Sequence, residues 1–254
     1  MFPSVQQPVL TRGLLHRHMT MQKDFFDTGI TWSNSLNVAQ MLDKSSYSIS
    51  LGNTHQDGII SSTGMDRYNV KVSADTKLTN NWSSGFTANY ITTSIDKAVT
   101  SGNGLLRTVY AAPPSYDLAG IPSHVDGNPY TQNSFRGSFD NAYWAMENNK
   151  FTEDTNRFFG NVYASYQTDF GTTNHKLNAK YMVGVDAYTT HYVDSYGYGS
   201  NTGGGRGQIE NYGWTNATYN SLLTINYDWH INEDWGLNAV VGNEIIQSNR
   251  KEVL

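Results

Sequence analysis

Residues Ser46–Tyr90 read SYSISLGNTHQDGIISSTGMDRYNVKVSADTKLTNNWSSGFTANY, and this stretch decides the fold. Tyr47, Ile49 and Leu51 alternate with Ser48, Ser50 and Gly52. Tyr68, Val70, Val72 and Ala74 alternate with Asn69, Lys71, Ser73 and Asp75, and Phe86, Ala88 and Tyr90 with Thr87 and Asn89. Side chains of a strand point to opposite faces in turn, so each run has one apolar and one polar face. A long polar connection, Asn53–Gly64, separates the first two runs, and a short turn, Thr79-Asn80-Asn81, separates the next two.

The same pattern extends in both directions. Upstream, Ile30, Trp32, Leu36 and Val38 mark a first strand in FFDTGITWSNSLNVAQM. Downstream, Val162, Ala164 and Tyr166 oppose Tyr163, Ser165 and Gln167, and a short turn, Gly171-Thr172-Thr173-Asn174, follows. Leu177, Ala179, Tyr181, Val183, Val185 and Ala187 then form an unusually long apolar face. A second long connection is expected from Asp194 to about Asn211, with Gly203–Gly207 inside it. Tyr219, Leu223, Ile225, Tyr227 and Trp229 share the next face; the turn Asn232-Glu233-Asp234 leads to Trp235, Leu237, Ala239 and Val241.

Between these two groups the alternation stops. Residues 97–154 hold Pro113, Pro114, Pro122 and Pro129 among many Gly, Asn and Ser. A connection of roughly 55 residues is far longer than usual and is either functional or disordered. Its Tyr110, Tyr116, Tyr130, Tyr143 and Trp144 favour an ordered loop, because disordered segments are poor in aromatics. Helical turns are expected around Asn141–Glu147. Residues 1–23 show no period and carry Pro3 and Pro8, and are read as an unstructured or non-native leader.

The fold expected is therefore all-β: an antiparallel up-and-down meander of about eight long strands over residues 24–254, of the kind that builds a transmembrane β-barrel; the resemblance described below implies that it is part of a larger one. Short turns alternating with long loops are the mark of an outer-membrane barrel. The shorter strands of a soluble sandwich fit less well. The apolar face would meet lipid, and the Asn, Ser, Thr, Lys and Asp face would line the lumen. Trp82, Tyr90, Tyr181, Tyr192, Trp229 and Trp235 fall towards strand ends, where an aromatic girdle would sit. Eight strands can also close on themselves, but the two long loops would crowd so narrow a mouth.

Composition agrees. Charged residues are 15% of the 254, below the roughly 25% of soluble domains, and aromatics are 13%. The net charge of −5 and the lack of a basic stripe argue against nucleic acid. There is no cysteine, hence no disulfide framework or thiolate metal site. No run of 18 apolar residues exists, which excludes a transmembrane helix but not barrel strands.

No catalytic constellation stands out, so an enzyme is not expected, nor is a cofactor. His16 and His18 lie in the leader and are not read as a metal site. Gly203–Gly207 lacks the Lys-Ser/Thr and the helix that a P-loop needs. Asp126-Gly127-Asn128 lacks the further oxygen ligands of a calcium loop. Among the loop aromatics, Tyr116, Tyr130, Tyr143 and Trp144 are candidates for contact with a ligand or a partner protein. The competing expectation, that they pack the loop against itself, has the greater weight, because so long a loop needs a small core.

Several blocks resemble one family, the SusC/RagA branch of TonB-dependent outer-membrane transporters. They are Tyr47–Gly52 with Gln56–Ile60, Asp66–Val70, Asn148–Phe151, Asn156–Asn161, Gly184–Tyr188, Leu222–Tyr227 and Asn238–Glu244. The resemblance spans about residues 24 to 250, and its specificity lies in the order and spacing of the blocks. It implies a 22-stranded barrel with a plug, located in the outer membrane, importing glycans or peptides with energy from a TonB complex. It also implies a SusD-like surface lipoprotein as lid. Signal peptide, TonB-interacting segment and plug are not recognisable in this sequence, so an internal barrel fragment is expected, reaching TonB only through the missing plug. The alternative is a non-transporting surface β protein, an adhesin or glycan-binding domain that works through the aromatic loop.

Overall fold

The computed structural model describes residues 24–98, 104–113, 116–171 and 174–253. Eight strands pair strictly with their sequence neighbours: β1 (Thr31–Met41), β2 (Ser45–Asp57), β3 (Gly64–Lys77), β4 (Trp82–Lys97), β7 (Lys150–Thr168), β8 (His175–Tyr198), β9 (Arg206–His230) and β10 (Gly236–Val253). All pairings are antiparallel. The loop between β4 and β7 carries α1 (Leu105–Ala111), a hairpin of β5 (His124–Val125) and β6 (Asn128–Gln132), and α2 (Ala142–Asn148). The up-and-down meander of eight long strands expected from the alternation is thus the architecture. The 1–23 leader lies outside the described residues.

The short turns lie at one end of the sheet, and in those after β3 and β9 a side chain accepts from backbone N–H groups. Thr79 Oγ1 accepts from Asn81 and Trp82 at 3.2 and 3.0 Å, and Asn232 Oδ1 accepts from Asp234 and Trp235 at 3.0 and 2.8 Å. Thr and Asn supply this geometry because their short polar side chains reach the backbone two or three residues on.

At the other end two connections are shorter than the sequence suggests. Asn53–Gly64 is mostly strand: pairing continues through His55↔Asp66 to Asp57↔Gly64, leaving only residues 58–63 as the turn. Asp194–Asn211 is likewise strand as far as Tyr198↔Arg206, with a single 3-10 turn, Thr202–Gly205, at its tip. The reason is physical. Ladder pairing carries on past the apolar band, where hydropathy no longer alternates in step with that band to report the strand. The long loop is also trimmed to 98–149, because Lys97 and Lys150–Asp154 still pair in the sheet.

Among the described residues the sheet has no second layer. Its register puts Leu36, Leu51, Val70, Tyr90 and Phe158 in one row across neighbouring strands. The rows beside it hold Val38, Ile49, Val72 and Val185, then Tyr47, Phe86, Val162 and Val183. These large apolar side chains stay substantially open; Val162 is 53% exposed and Tyr181 50%. On β8 the apolar face runs from Leu177 to Ala187, about 33 Å along the strand, or about 23 Å at a 45° tilt, close to the apolar band of roughly 25 Å on barrels that span membranes. Both edges are open too: every residue of β1 is exposed, and β10 exposes Val240, Val241, Ile245 and Ile246. No described helix is long and apolar enough to cross a membrane.

The buried core lies at the loop end of the sheet, where Phe25 from ahead of β1 and Ile60 from the β2–β3 turn join the loop. Phe25, Ile60, Leu105, Val109, Leu118, Ala142, Trp144 and Ala145 form it. The loop is therefore a small folded module seated on one end of the sheet.

Candidate functional site

Two surfaces can meet a ligand: the polar face of the sheet and the loop module at its end. On the polar face, charged groups pair across strands. The Arg157 guanidinium grips Asp186 with two hydrogen bonds, Nε–Oδ1 at 2.8 Å and Nη2–Oδ2 at 2.5 Å, and Lys97 Nζ lies 3.0 Å from Glu153. The Tyr163 hydroxyl donates to Asp75 at 2.6 Å, passing over Gly85, where a Cβ would sit 2.8 Å from the Tyr163 ring. Gly184 plays the same part further along, since a Cβ there would collide with the Asn220 amide. In the middle of this face is a hollow of about 690 Å³, lined among others by Lys71, Asn89, Asn161, Asp186, Thr218 and Asn220.

Nearer the loop end of the same face stands an aromatic cluster. Tyr192 and Tyr212 stack at 5.0 Å with ring planes 10° apart, and Trp214 lies 5.2 Å from Tyr192. Lys97 covers Tyr192 at 4.5 Å and Arg250 covers Trp214 at 4.7 Å. This overturns one girdle assignment. Tyr192 pairs with Glu153 and Tyr212, one position out of step with Tyr181 and Val183, so it belongs to the polar face. Parity along β8 could have shown this in the sequence: Tyr181 is odd-numbered with the apolar set and Tyr192 is even. Trp82, Tyr90, Tyr181 and Trp229 lie on the apolar face, and Trp235 is in the β9–β10 turn.

In the loop module, Asn141 begins α2 as its N-cap, accepting from the Tyr143 and Trp144 amides at 3.0 and 3.2 Å, where helical turns were expected. Trp144 is fully buried and donates its indole N–H to Pro129 at 2.9 Å. Tyr143 is half-buried edge-on to Phe25 at 5.4 Å, and Tyr116 is half-buried against Phe135 at 5.1 Å. Burial raises both phenols above the ordinary tyrosine value, with Asp24 and Asp27 adding to the effect at Tyr143. Only Tyr130 of the four is open, 60% exposed and edge-on to Tyr198 at 5.6 Å. Three of the four loop aromatics are thus engaged in packing the module, and Trp144 presents no surface.

Asp140 ties the module to the β8–β9 tip. Its buried carboxylate accepts from Ser200 Oγ at 2.6 Å, from the Asn201 backbone and side-chain nitrogens at 2.7 Å each, and from Gln132 Nε2 at 2.8 Å. Nothing in the sequence singled it out, because its partners in the β8–β9 tip, Ser200 and Asn201, lie some sixty residues away. Asp126-Gly127 turns out to be the two-residue turn of the β5–β6 hairpin, both at positive φ (51° and 71°), as a type I′ turn demands. Pro129 lies inside β6, a short strand of that separate hairpin, while the long ladders are free of proline. Among the described residues no three His, Cys, Asp or Glu side chains come together as a metal site. His16 and His18 lie outside the described residues.

No family model matches the sequence, and no curated protein matches it. Solved structures do. Those of the RagAB peptide importer in the "open-open" and "closed-closed" states align over 91% of this chain at TM-scores of 0.72 and 0.71 and 16% identity. The sheet has the fold of part of a RagAB chain. A third structure, of the RagAB peptide transporter, aligns over 91% at a TM-score of 0.65 and 15% identity. The chain spans about a quarter of the RagAB chains it matches, 26% in each case. This bears out, in fold, the resemblance to the SusC/RagA branch, and with it the reading of the meander as one arc of a larger barrel.

Proposed function

We propose that the chain is part of a TonB-dependent active transporter of the outer membrane, importing glycans or peptides with a SusD-like surface lipoprotein, and that it has no enzymatic role. The observation that carries this reading is the two-faced sheet. An apolar band of membrane height covers one face, and nothing among the described residues buries it. The other face is polar, ion-paired and hollowed. In water such a band is a liability; against lipid it is a requirement. The short-turn end would be periplasmic, and the module of residues 98–149 would cap the barrel outside, where a lid protein meets it. A peptide cargo is suggested by the RagAB fold. The test is to produce the chain with and without detergent. Recovery as folded β structure only in detergent or lipid supports the reading, and a soluble, monomeric, cooperatively unfolding product without either overturns it.

A second reading, a non-transporting surface protein that grips glycans through its loop, draws on the exposed Tyr130–Tyr198 pair. Glycan binding abolished by Tyr130→Ala, in a chain that stays soluble without detergent, would favour it.

A further inference from the structure

The loop module holds more of the sheet than the two strands it grows from. On one side it takes in the β2–β3 turn and the segment ahead of β1. Ile60 and Phe25 are buried in the core with Leu105, Val109 and Trp144, and Phe25 lies edge-on to Tyr143. Ser62 Oγ donates to the Met146 carbonyl at 3.4 Å. On the other side it takes in the β8–β9 tip. Asp140 accepts from Ser200 and Asn201, and Gln132 Nε2 donates to the Gly199 carbonyl at 2.8 Å. Gly199 is so close that a Cβ there would come within 2.2 Å of the Tyr130 carbonyl oxygen. In sheet order the two tips flank β4 and β7, and about 19 Å separates them at roughly 4.8 Å per strand.

The two attachments differ in kind. At the β2–β3 turn the hold is apolar, and pulling Phe25 and Ile60 from the core would return apolar surface to water at a cost. At the β8–β9 tip the hold is polar. The Asp140 carboxylate is 5% exposed and forms no ion pair among the described residues, so neutral donors alone offset its burial. Parting them returns a charge to water, which is favourable. The ring contact at that end, Tyr130 on Tyr198, hides little, since both rings stay exposed. We infer that the module is a strap, hinged on the β2–β3 turn and latched to the β8–β9 tip by Asp140, which opens by releasing the latch while the hinge holds. Its place across the outer mouth rests on the transporter reading; the hinge and the latch do not.

The test measures distances between spin labels on the whole chain in detergent micelles, by pulsed electron resonance. The sequence has no cysteine, so introduced pairs are labelled alone. Gly137→Cys marks the strap, at a position where a Cβ meets nothing within 4 Å. Arg206→Cys marks the exposed start of β9, and Ser61→Cys the exposed β2–β3 turn. Both the 137/206 and the 137/61 pair should give narrow distributions. Asp140→Ala should about double the width of the 137/206 distribution and add longer distances, leaving 137/61 as it was. Ser200→Ala, which leaves the module's own residues intact, should shift 137/206 the same way by less. Ile60→Ala should broaden 137/61 and spare 137/206. An unchanged 137/206 distribution in Asp140→Ala overturns the latch, and equal broadening of both pairs overturns the hinge, because the module then comes loose as a whole. A chain that folds in water without detergent overturns the transporter reading and leaves the strap standing.

Discussion

Replacing Asp140 by Ala removes the carboxylate that joins the loop module to the β8–β9 tip. Four donors lose their acceptor: the Ser200 hydroxyl, both Asn201 nitrogens and Gln132 Nε2. The losses are unequal. A hydroxyl can rotate to a new partner, and Gln132 Nε2 keeps its bond to the Gly199 carbonyl at 2.8 Å. The Asn201 backbone N–H has no such freedom. With an orphaned buried donor costing roughly 1–3 kcal/mol and the others partly recovered, the tip should be weakened by about 3 kcal/mol. The effect is local, because the ladder from His175↔Trp229 to Ser195↔Ile209 does not pass through Asp140. Amide hydrogen exchange on peptides covering 199–205 should therefore speed up about a hundredfold, while β8 and β9 below the tip stay protected. Asp140→Asn, which keeps one acceptor oxygen, should fall between. Exchange at 199–205 that changes less than threefold in Asp140→Ala would refute the clasp.

Three further outcomes are expected. Val183→Arg, in the middle of the apolar band, should cost about 2–4 kcal/mol of folding free energy in lipid vesicles, whereas Thr224→Arg on the polar face should cost little; urea titrations of vesicle-inserted chain compare them. Trp144→Ala empties the centre of the loop core and should destabilise the module by about 3–5 kcal/mol, read as protease cleavage within residues 104–149 while the sheet stays intact. Tyr116 and Tyr143 should titrate above 10 in ultraviolet difference spectra. The sign follows from proton binding: between its unfolded and its raised folded value each phenol holds more proton in the folded module, so stability is full below pH 10 and is lost as the pH rises through the folded values.

Where two environments flank a strand, the sequence announced it. Alternation located every long strand, because one face is apolar and the other polar along Tyr47–Leu51, Tyr68–Ala74 and Leu177–Ala187. It failed at His55–Asp57, where backbone pairing outlasts the apolar band and both faces are polar, and at Ser195–Tyr198, where Tyr196 and Tyr198 alternate in the parity opposite to the apolar band. The helix at Ala142–Asn148 lies where helical turns were expected, around Asn141–Glu147, and the structure adds the Asn141 cap that starts it. The Asp140 clasp, the Tyr192–Tyr212 stack and the paired Arg157 and Asp186 were not, since each depends on which strands lie side by side and in what register. Tyr192 illustrates the distinction. Proximity to a strand end suggested a girdle, and one step of parity placed it on the opposite face.

The proposed transporter role requires that lipid cover one face of this sheet. The most direct measurement is a spin-label scan of residues 177–187 in vesicle-inserted chain, recording accessibility to oxygen and to a water-soluble nickel complex. A period of two is expected: Leu177, Ala179, Tyr181, Val183, Val185 and Ala187 open to oxygen, with Asn178, Lys180, Met182, Gly184 and Asp186 favouring nickel. Equal access to nickel on both sets would contradict it.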